Sequence, residues 1–442
     1  MSINTNDPAS SSYGAHRREL LLGGFNGSLE KVQVPLTYQI GLFFAALAMI
    51  ALPLIYLSLI GAVSYATYWH AVENISIVQR LHARKIGLFL YGAPLFVGVW
   101  LVFSMVKPLL TPRSAAGRTR SLSRDEEPLL HEFVAKLCAT VGAPVPSRID
   151  VDCNVNASAH LRRGWRSFFG QDLVLTLGLP LVQGFRLDQL TGVLAHELGH
   201  FAQGAGMRLC YVIYAVLRWF NRVVNSRDHW DEQLEEAAKS SSGTFIGFAV
   251  KLAQGSVWAS RKLLQGLMYL GHAISSYLSR QMEFDADRYQ TRMVGADVFE
   301  STFRELCCLD VAHHQSLQEV VEMGEREGLV ADNLPRLIAF QRSQLTRELE
   351  QQIGEGIESS KTSWADSHPA DSERITSARR EKAPPVFRSE LAAVALFRDF
   401  AALAREETRA FYEDKLKSEV AAESLVSTDE LLASWQELRK EH

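Results

Sequence analysis

The amino-acid sequence predicts a predominantly helical α+β fold with a small β-sheet, preceded by a helical hairpin that crosses a membrane. Three observations carry that expectation. Two long stretches in the first quarter of the chain hold no charged residue. Two short strand-like runs, residues 148–160 and 172–179, follow a helical pattern. A long helix-rich stretch comes after them, with no internal repeat. Composition agrees. Of 442 residues, 22% are charged and 47% hydrophobic, which suits a folded chain and argues against wholesale disorder. A net charge of -4 without a polybasic cluster excludes an electrostatic nucleic-acid binder. The 5 cysteines are odd in number and lack CxxC spacing, which fits a reducing compartment better than a disulfide scaffold.

The hairpin comes first. No Asp, Glu, Lys or Arg lies between Lys31 and Glu73, nor between Lys85 and Lys107. Each stretch can cross a hydrocarbon layer of about 30 Å, which needs about 20 apolar residues. Tyr65, Tyr68 and Trp69 close the first stretch as an interfacial belt would. A pair of buried core helices is the alternative, but such helices usually carry a polar stripe. A cleaved signal peptide fits poorly, because the stretch starts late, is long and has a second one behind it. Arg17, Arg18 and Lys31 precede the hairpin, and Lys107, Arg113, Arg118, Arg120 and Arg124 follow it, against Arg80, Arg84 and Lys85 in its turn. That bias places both ends, and the bulk of the chain, in the cytoplasm as a multi-pass protein of the cell membrane.

Four units follow from this reading: a tail (1–36), the transmembrane hairpin (37–110), a main domain (111–388) and a C-terminal helical extension (389–442). Residues 111–124 are small, polar and basic, as a juxtamembrane linker would be. A helix over 125–141 places Leu129, Leu130, Phe133, Val134, Leu137 and Val141 on one face, and Gly142, Pro144 and Pro146 stop it. The extension opens with a helical pattern in residues 391–416.

The chemistry is concentrated in TGVLAHELGHF. His196 and His200 are four apart, so on a helix both imidazoles project from one face and can bind one metal ion. Glu197 sits next to the first histidine, within reach of a metal-bound water. The pattern His-Glu-x-x-His arises by chance in roughly one chain in 40 of this length. Chance histidines on a surface helix are disfavoured, because Leu190, Val193, Leu194, Leu198 and Phe201 would bury the polar triplet without purpose. A catalytic zinc usually has three protein ligands. The best downstream candidate is LSRQMEFDADRYQTRMVG, where Glu283 and Asp287 share a helical face. Glu283 would be the third ligand. Asp287 would accept the free ring N–H of a ligand histidine and fix its tautomer. Asp285 and Arg288 read as solvent-facing or ion-paired.

HELGH (196–200), EFDAD (283–287) and SHPADSERI (367–375) occur in the order seen in the M48 zinc metallopeptidases, a family of HtpX-like and CAAX prenyl protease-like membrane enzymes, and the chain resembles that family over roughly residues 125–380. VNASA (155–159) and LVLTLGL (173–179) look like the family's edge strand and the strand after it. The resemblance implies a gluzincin-type domain in which His196, His200 and Glu283 hold one zinc ion, Glu197 is the general base and Asp287 supports a ligand. It implies that His368 and Arg374 lie near the substrate carbonyl, where a donor could stabilise developing charge. It implies that Asn156, Ala157, Ser158 and Ala159 offer backbone groups to an extended peptide by strand addition. Polypeptides, membrane or misfolded proteins among them, would be the substrates, and the lipid bilayer would be a partner.

The chain also departs from the family pattern. The loop 160–171 is basic and aromatic where a plainer turn is usual. Residues 207–279 are apolar at both ends with a charged centre (227–239), and read as helices at or near the membrane surface rather than as spans. No family motif falls beyond residue 389. Two other readings stand beside a zinc endopeptidase: a metal-binding membrane scaffold without activity, and a CAAX-type prenyl-protein protease, which needs more spans.

Overall fold

An uncharged run of this length has to satisfy its backbone within itself once it leaves water, and helix is the way to do so. The computed structural model describes residues 8–30, 32–33, 35–76, 84–110, 118–162, 172–202, 205–225, 245–363, 366–416 and 419–441. Most of the loop 160–171 and the charged centre 227–239 lie outside these residues.

Helix α1 (Pro8–Gly23) leads into the hairpin, α2 (Leu36–Glu73) and α3 (Arg84–Val106), which closes with a short 3-10 turn (Lys107–Leu110). At 1.5 Å per residue α2 is about 57 Å long, well beyond what a bilayer needs. Both hairpin helices are long and apolar enough to cross a membrane. Their outward faces carry Phe43, Phe44, Leu47, Leu54, Phe96, Val99 and Phe103, all exposed. A water-soluble helix pair would not present such a surface.

The main domain follows. Its elements are β1 (Arg120–Leu122), α4 (Pro128–Val141), β2 (Arg148–Asp152), β3 (Ala157–Leu161), β4 (Leu173–Gly178), α5 (Leu179–Gly184), α6 (Leu187–Ala202), α7 (Ala205–Asn225), α8 (Phe245–Val294) and α9 (Ala296–Glu327). Then come β5 (Val330–Ala331), α10 (Leu334–Ser343), α11 (Arg347–Ser359), α12 (Asp371–Glu381), α13 (Phe400–Leu416), β6 (Leu425–Val426) and α14 (Thr428–Glu441). The fold is thus mostly helical with small sheets. Helix α4 ends where the sequence places its stop, with Gly142 left-handed at φ 81°. The pattern over 391–416 forms a 3-10 turn at Ala393–Leu396 and an α-helix only from Phe400, where Asp399 accepts the Ala402 N–H at 3.0 Å and caps the start.

The four-stranded sheet has the order β1-β2-β4-β3, with β2 and β4 parallel and the outer pairs antiparallel. Strand β4 is buried at all six positions, whereas β3 is an edge strand with partly exposed residues. One hydrophobic core joins distant parts of the chain. It takes Leu21, Leu22 and Val32 from the N-terminal segment, Leu175, Leu194, Leu198 and Tyr289 from the main domain, and Leu396, Phe397, Leu403 and Leu432 from the extension. Phe25 packs on Phe133 and Phe387 at 5.3 and 4.6 Å between ring centres. The Asn26 N–H donates to the Val386 carbonyl at 2.7 Å, and the Arg388 N–H to the Gly24 carbonyl at 3.1 Å. Chain before the hairpin and chain after it therefore lie on one side of any membrane the hairpin enters.

A second core ties the hairpin to the domain. Leu42, Met49, Leu52 and Tyr56 of α2 pack with Ile213, Leu217 and Phe220 of α7 and with Leu264, Met268 and Leu278 of α8. The Tyr38 hydroxyl donates to the Leu278 carbonyl at 3.1 Å, and Gly271 faces Met49 and Leu52. Helix α8 thus runs antiparallel beside α2 over several turns, at the depth of its uncharged run. The outer face of α8 there carries Leu263, Tyr269, Leu270 and Tyr277, all exposed.

Candidate metal centre and active site

Helix α6 buries Leu190, Leu194 and Leu198 in the main core, which turns His196, Glu197 and His200 away from it. Helix α8 crosses α6 closely because glycines face it. A Cβ on Gly199 would sit 2.9 Å from the Tyr289 ring, and one on Gly192 would sit 3.0 Å from Val294. That approach brings in Glu283. One ligand atom from each of His196, His200 and Glu283 lies within 4.8 Å of the others. The His196 Nε2 atom is 3.4 Å and the His200 Nε2 atom 3.9 Å from the Glu283 carboxylate. The two imidazoles stand edge to face at 86°.

Behind the first histidine, Asp287 Oδ1 lies 3.1 Å from His196 Nδ1. Arg374, from α12, donates Nε and Nη2 to the two oxygens of Asp287 at 2.8 and 2.6 Å. Its guanidinium also lies over the Phe303 ring at 4.6 Å. Burial works against the charge on Asp287, but Arg374 outweighs it and holds the carboxyl below its ordinary range. Burial likewise opposes charge on His196, yet Asp287 and Glu283 together lift that ring to about 10. Burial and the neighbouring His196 push His200 down to about 4. His368 lies at the rim, 62% exposed, with Nε2 3.7 Å from Glu283. Arg374 is only 13% exposed and reaches the site through Asp287, 3.9 Å from Glu283.

Glu197 faces the sheet edge. Its Oε2 accepts the Ala159 N–H at 3.2 Å. Burial pushes its carboxyl up, while the charge on His196 and the Ala159 N–H pull it back only in part. Strand β3 alternates as an antiparallel edge must. The Asn156 carbonyl accepts the Gly178 N–H, and the Arg162 N–H donates to Asp172, so even-numbered residues serve β4. Of residues 156–159, only Ala157 and Ala159 therefore turn their backbone groups to the open side. Gly178 makes this turn possible, since a Cβ there would lie 2.0 Å from the Asn154 carbonyl. A cleft of about 460 Å³ opens between β3 and α7, with His200, Glu283 and His368 in its wall.

A family model for peptidase family M48 matches residues 124–382. The chain belongs to peptidase family M48. It is similar to the Protease HtpX of Acinetobacter baylyi, 25% identical over 279 residues that cover 61% of this chain and 82% of that one. The Protease HtpX of a Psychrobacter species is 27% identical over 183 residues, or 41% of this chain and 54% of that one. The crystal structure of S. mikatae Ste24p matches at 18% identity over 84% of this chain and 71% of that one. Its TM-score is 0.28, a superposition too loose to bear on this fold.

The donor set of this M48 chain suits a catalytic divalent ion. Bonds of about 2.0–2.2 Å in a tetrahedron set neighbouring ligand atoms about 3.3–3.6 Å apart, close to the 3.4 and 3.9 Å seen here. Two imidazoles, one carboxylate and a side open to the cleft are what such a centre uses. The sequence pattern pointed to these three residues and to Asp287. It did not single out α7, whose Tyr211, Tyr214 and Arg218 line the same cleft. Their spacing of three and four residues was the available signal.

Proposed function

We propose that this chain is a membrane-anchored zinc endopeptidase of gluzincin type. The observation that carries the proposal is the meeting of His196, His200 and Glu283 beside Glu197 at an open sheet edge. His196, His200 and Glu283 hold one zinc ion, and Asp287 orients His196. When bound, zinc supplies Lewis acidity that activates a water and polarises the scissile carbonyl. Glu197 takes the water proton on a carboxylate oxygen and delivers it to the leaving amine nitrogen. A carboxyl raised by burial suits that exchange near neutral pH. Ala157 and Ala159 hold the substrate backbone as an added strand. His368 at the rim can donate to the substrate carbonyl. Arg374 acts behind the ligands, as the partner of Asp287.

Strand addition needs an extended segment, so substrates are unfolded or misfolded proteins, including membrane proteins, presented where the cleft meets the hairpin. The charge bias around the hairpin supports a site on the cytoplasmic side of the cell membrane. In this reading the peptidase unit is 111–388, the anchor 37–110, and the segments 1–36 and 389–442 close the peptidase core. The test is casein-type cleavage by the full-length chain in detergent. Turnover that a chelator abolishes and zinc restores is expected. A full zinc complement without turnover would leave a metal-binding scaffold instead.

A further inference from the structure

Helix α7 forms a wall of the cleft that the mechanism above leaves unused. One of its faces packs Ile213, Leu217 and Phe220 into the hairpin core. The other sets Tyr211, Tyr214 and Arg218 along the cleft, beside His200 and Glu283. Arg218 is exposed and lies over the Tyr211 ring at 5.6 Å. Tyr214 differs from both. Its hydroxyl is buried and makes no hydrogen bond to any described residue. Its polar neighbours on α8 are Ser279 and Glu283; Ser279 stands near enough to act on the phenol, but no well-aligned partner satisfies the hydroxyl. A buried hydroxyl left unpaired is destabilising, so it calls for a partner that arrives later. Other donors do not fill this wall: Arg374 is turned to Asp287, and His368 is at the exposed rim.

We propose that Tyr214 is a catalytic residue whose phenolic O–H donates to the scissile carbonyl oxygen as negative charge builds on it. The proposal rests on the zinc-endopeptidase reading. The donor sits in a wall shielded from water, where a hydrogen bond to developing charge counts for more than one to the neutral carbonyl. Burial holds the Tyr214 phenol above the ordinary tyrosine range, so it keeps its proton throughout. It donates a hydrogen bond and transfers nothing, so Glu197 alone moves the proton.

The test uses full-length protein in detergent, a fluorogenic extended peptide and a phosphinic peptide whose tetrahedral oxyanion mimics the charged carbonyl. Tyr214→Phe is expected to keep one zinc per chain and a KM within about twofold of wild type. Its kcat should fall about 100-fold, with affinity for the phosphinic peptide falling by a similar factor. Tyr214→His, which offers a ring N–H, should recover part of both. Unchanged kcat and phosphinate affinity in Tyr214→Phe would overturn the proposal. So would loss of zinc in both variants, which would make Tyr214 structural. If the wild-type chain itself cleaves nothing, the hydrolase reading falls and the donor falls with it. If the wild type is active and Tyr214→Phe matches it, only the donor falls.

Discussion

Asp287 is 98% withdrawn from solvent at its side chain and holds a two-point ion pair with Arg374. Removing one partner of such a pair leaves the other charge buried and costs about 3–5 kcal/mol. Arg374→Met should therefore lower thermal stability by that order. The double variant Asp287→Asn, Arg374→Met should lose less than the two single losses together, as a double-mutant cycle in thermal unfolding would read. Additive losses would deny the coupling. Glu197→Gln tests a different property. It should keep the zinc and lose about 1000-fold in kcat, as zinc per chain and peptide turnover would show, because the amide cannot accept the water proton. Retained turnover would refute the proposed base. Glu197 was legible in the sequence because it sits inside the motif. The partner of Arg374 was not, because the residues lie 87 positions apart and a Ser-His-Pro turn followed by an arginine says nothing about which carboxylate the guanidinium will meet.

The elements that matter most are α6, α8 and β3. The helical spacing of His196 and His200 already implied one shared face, and the Glu283–Asp287 spacing implied another. What joins them is the close crossing at Gly192 and Gly199, which no local pattern announces. A methyl on Gly199 would lie 2.9 and 3.0 Å from atoms of Tyr289, so α8 would have to move. Gly199→Ala should cost about 1–3 kcal/mol and weaken zinc binding, read by chelator competition. Gly356→Ala on α11 meets nothing within 4 Å and should be neutral or stabilising by up to about 1 kcal/mol. If both alanines behave alike, close packing is not what sets the ligand distance. The edge strand shows the complementary lesson. Residues 156–159 were expected to act together, but the two-residue period of a strand gives its open side only to Ala157 and Ala159.

At the scale of the molecule, the N-terminal segment and the extension share the main-domain core. The extension carries no motif, because its partners lie far off in sequence and hydrophobic periodicity names a face without naming what covers it. The hairpin was legible, since lack of charge over so many residues is a compositional fact. The course of α8 beside α2 was not, since Arg261, Lys262 and His272 interrupt its apolar pattern. The packing of Phe25 on Phe387 requires both ends of the hairpin on one side of any membrane it crosses. Single cysteines in sealed vesicles test this. His16→Cys and Glu390→Cys should react with an impermeant thiol reagent from the same side, and Glu73→Cys from the other. Labelling of the first two from opposite sides would contradict the arrangement.

The central claim is that side chains from α6 and α8 share one divalent ion. Elemental analysis of the purified full-length chain, with zinc counted per polypeptide in the wild type and in His196→Ala, His200→Ala and Glu283→Ala, tests it most directly. The account predicts about one zinc in the wild type and less than about a tenth of that in each variant after dialysis against a weak chelator. A Glu283→Ala protein that keeps a full equivalent of zinc would contradict it.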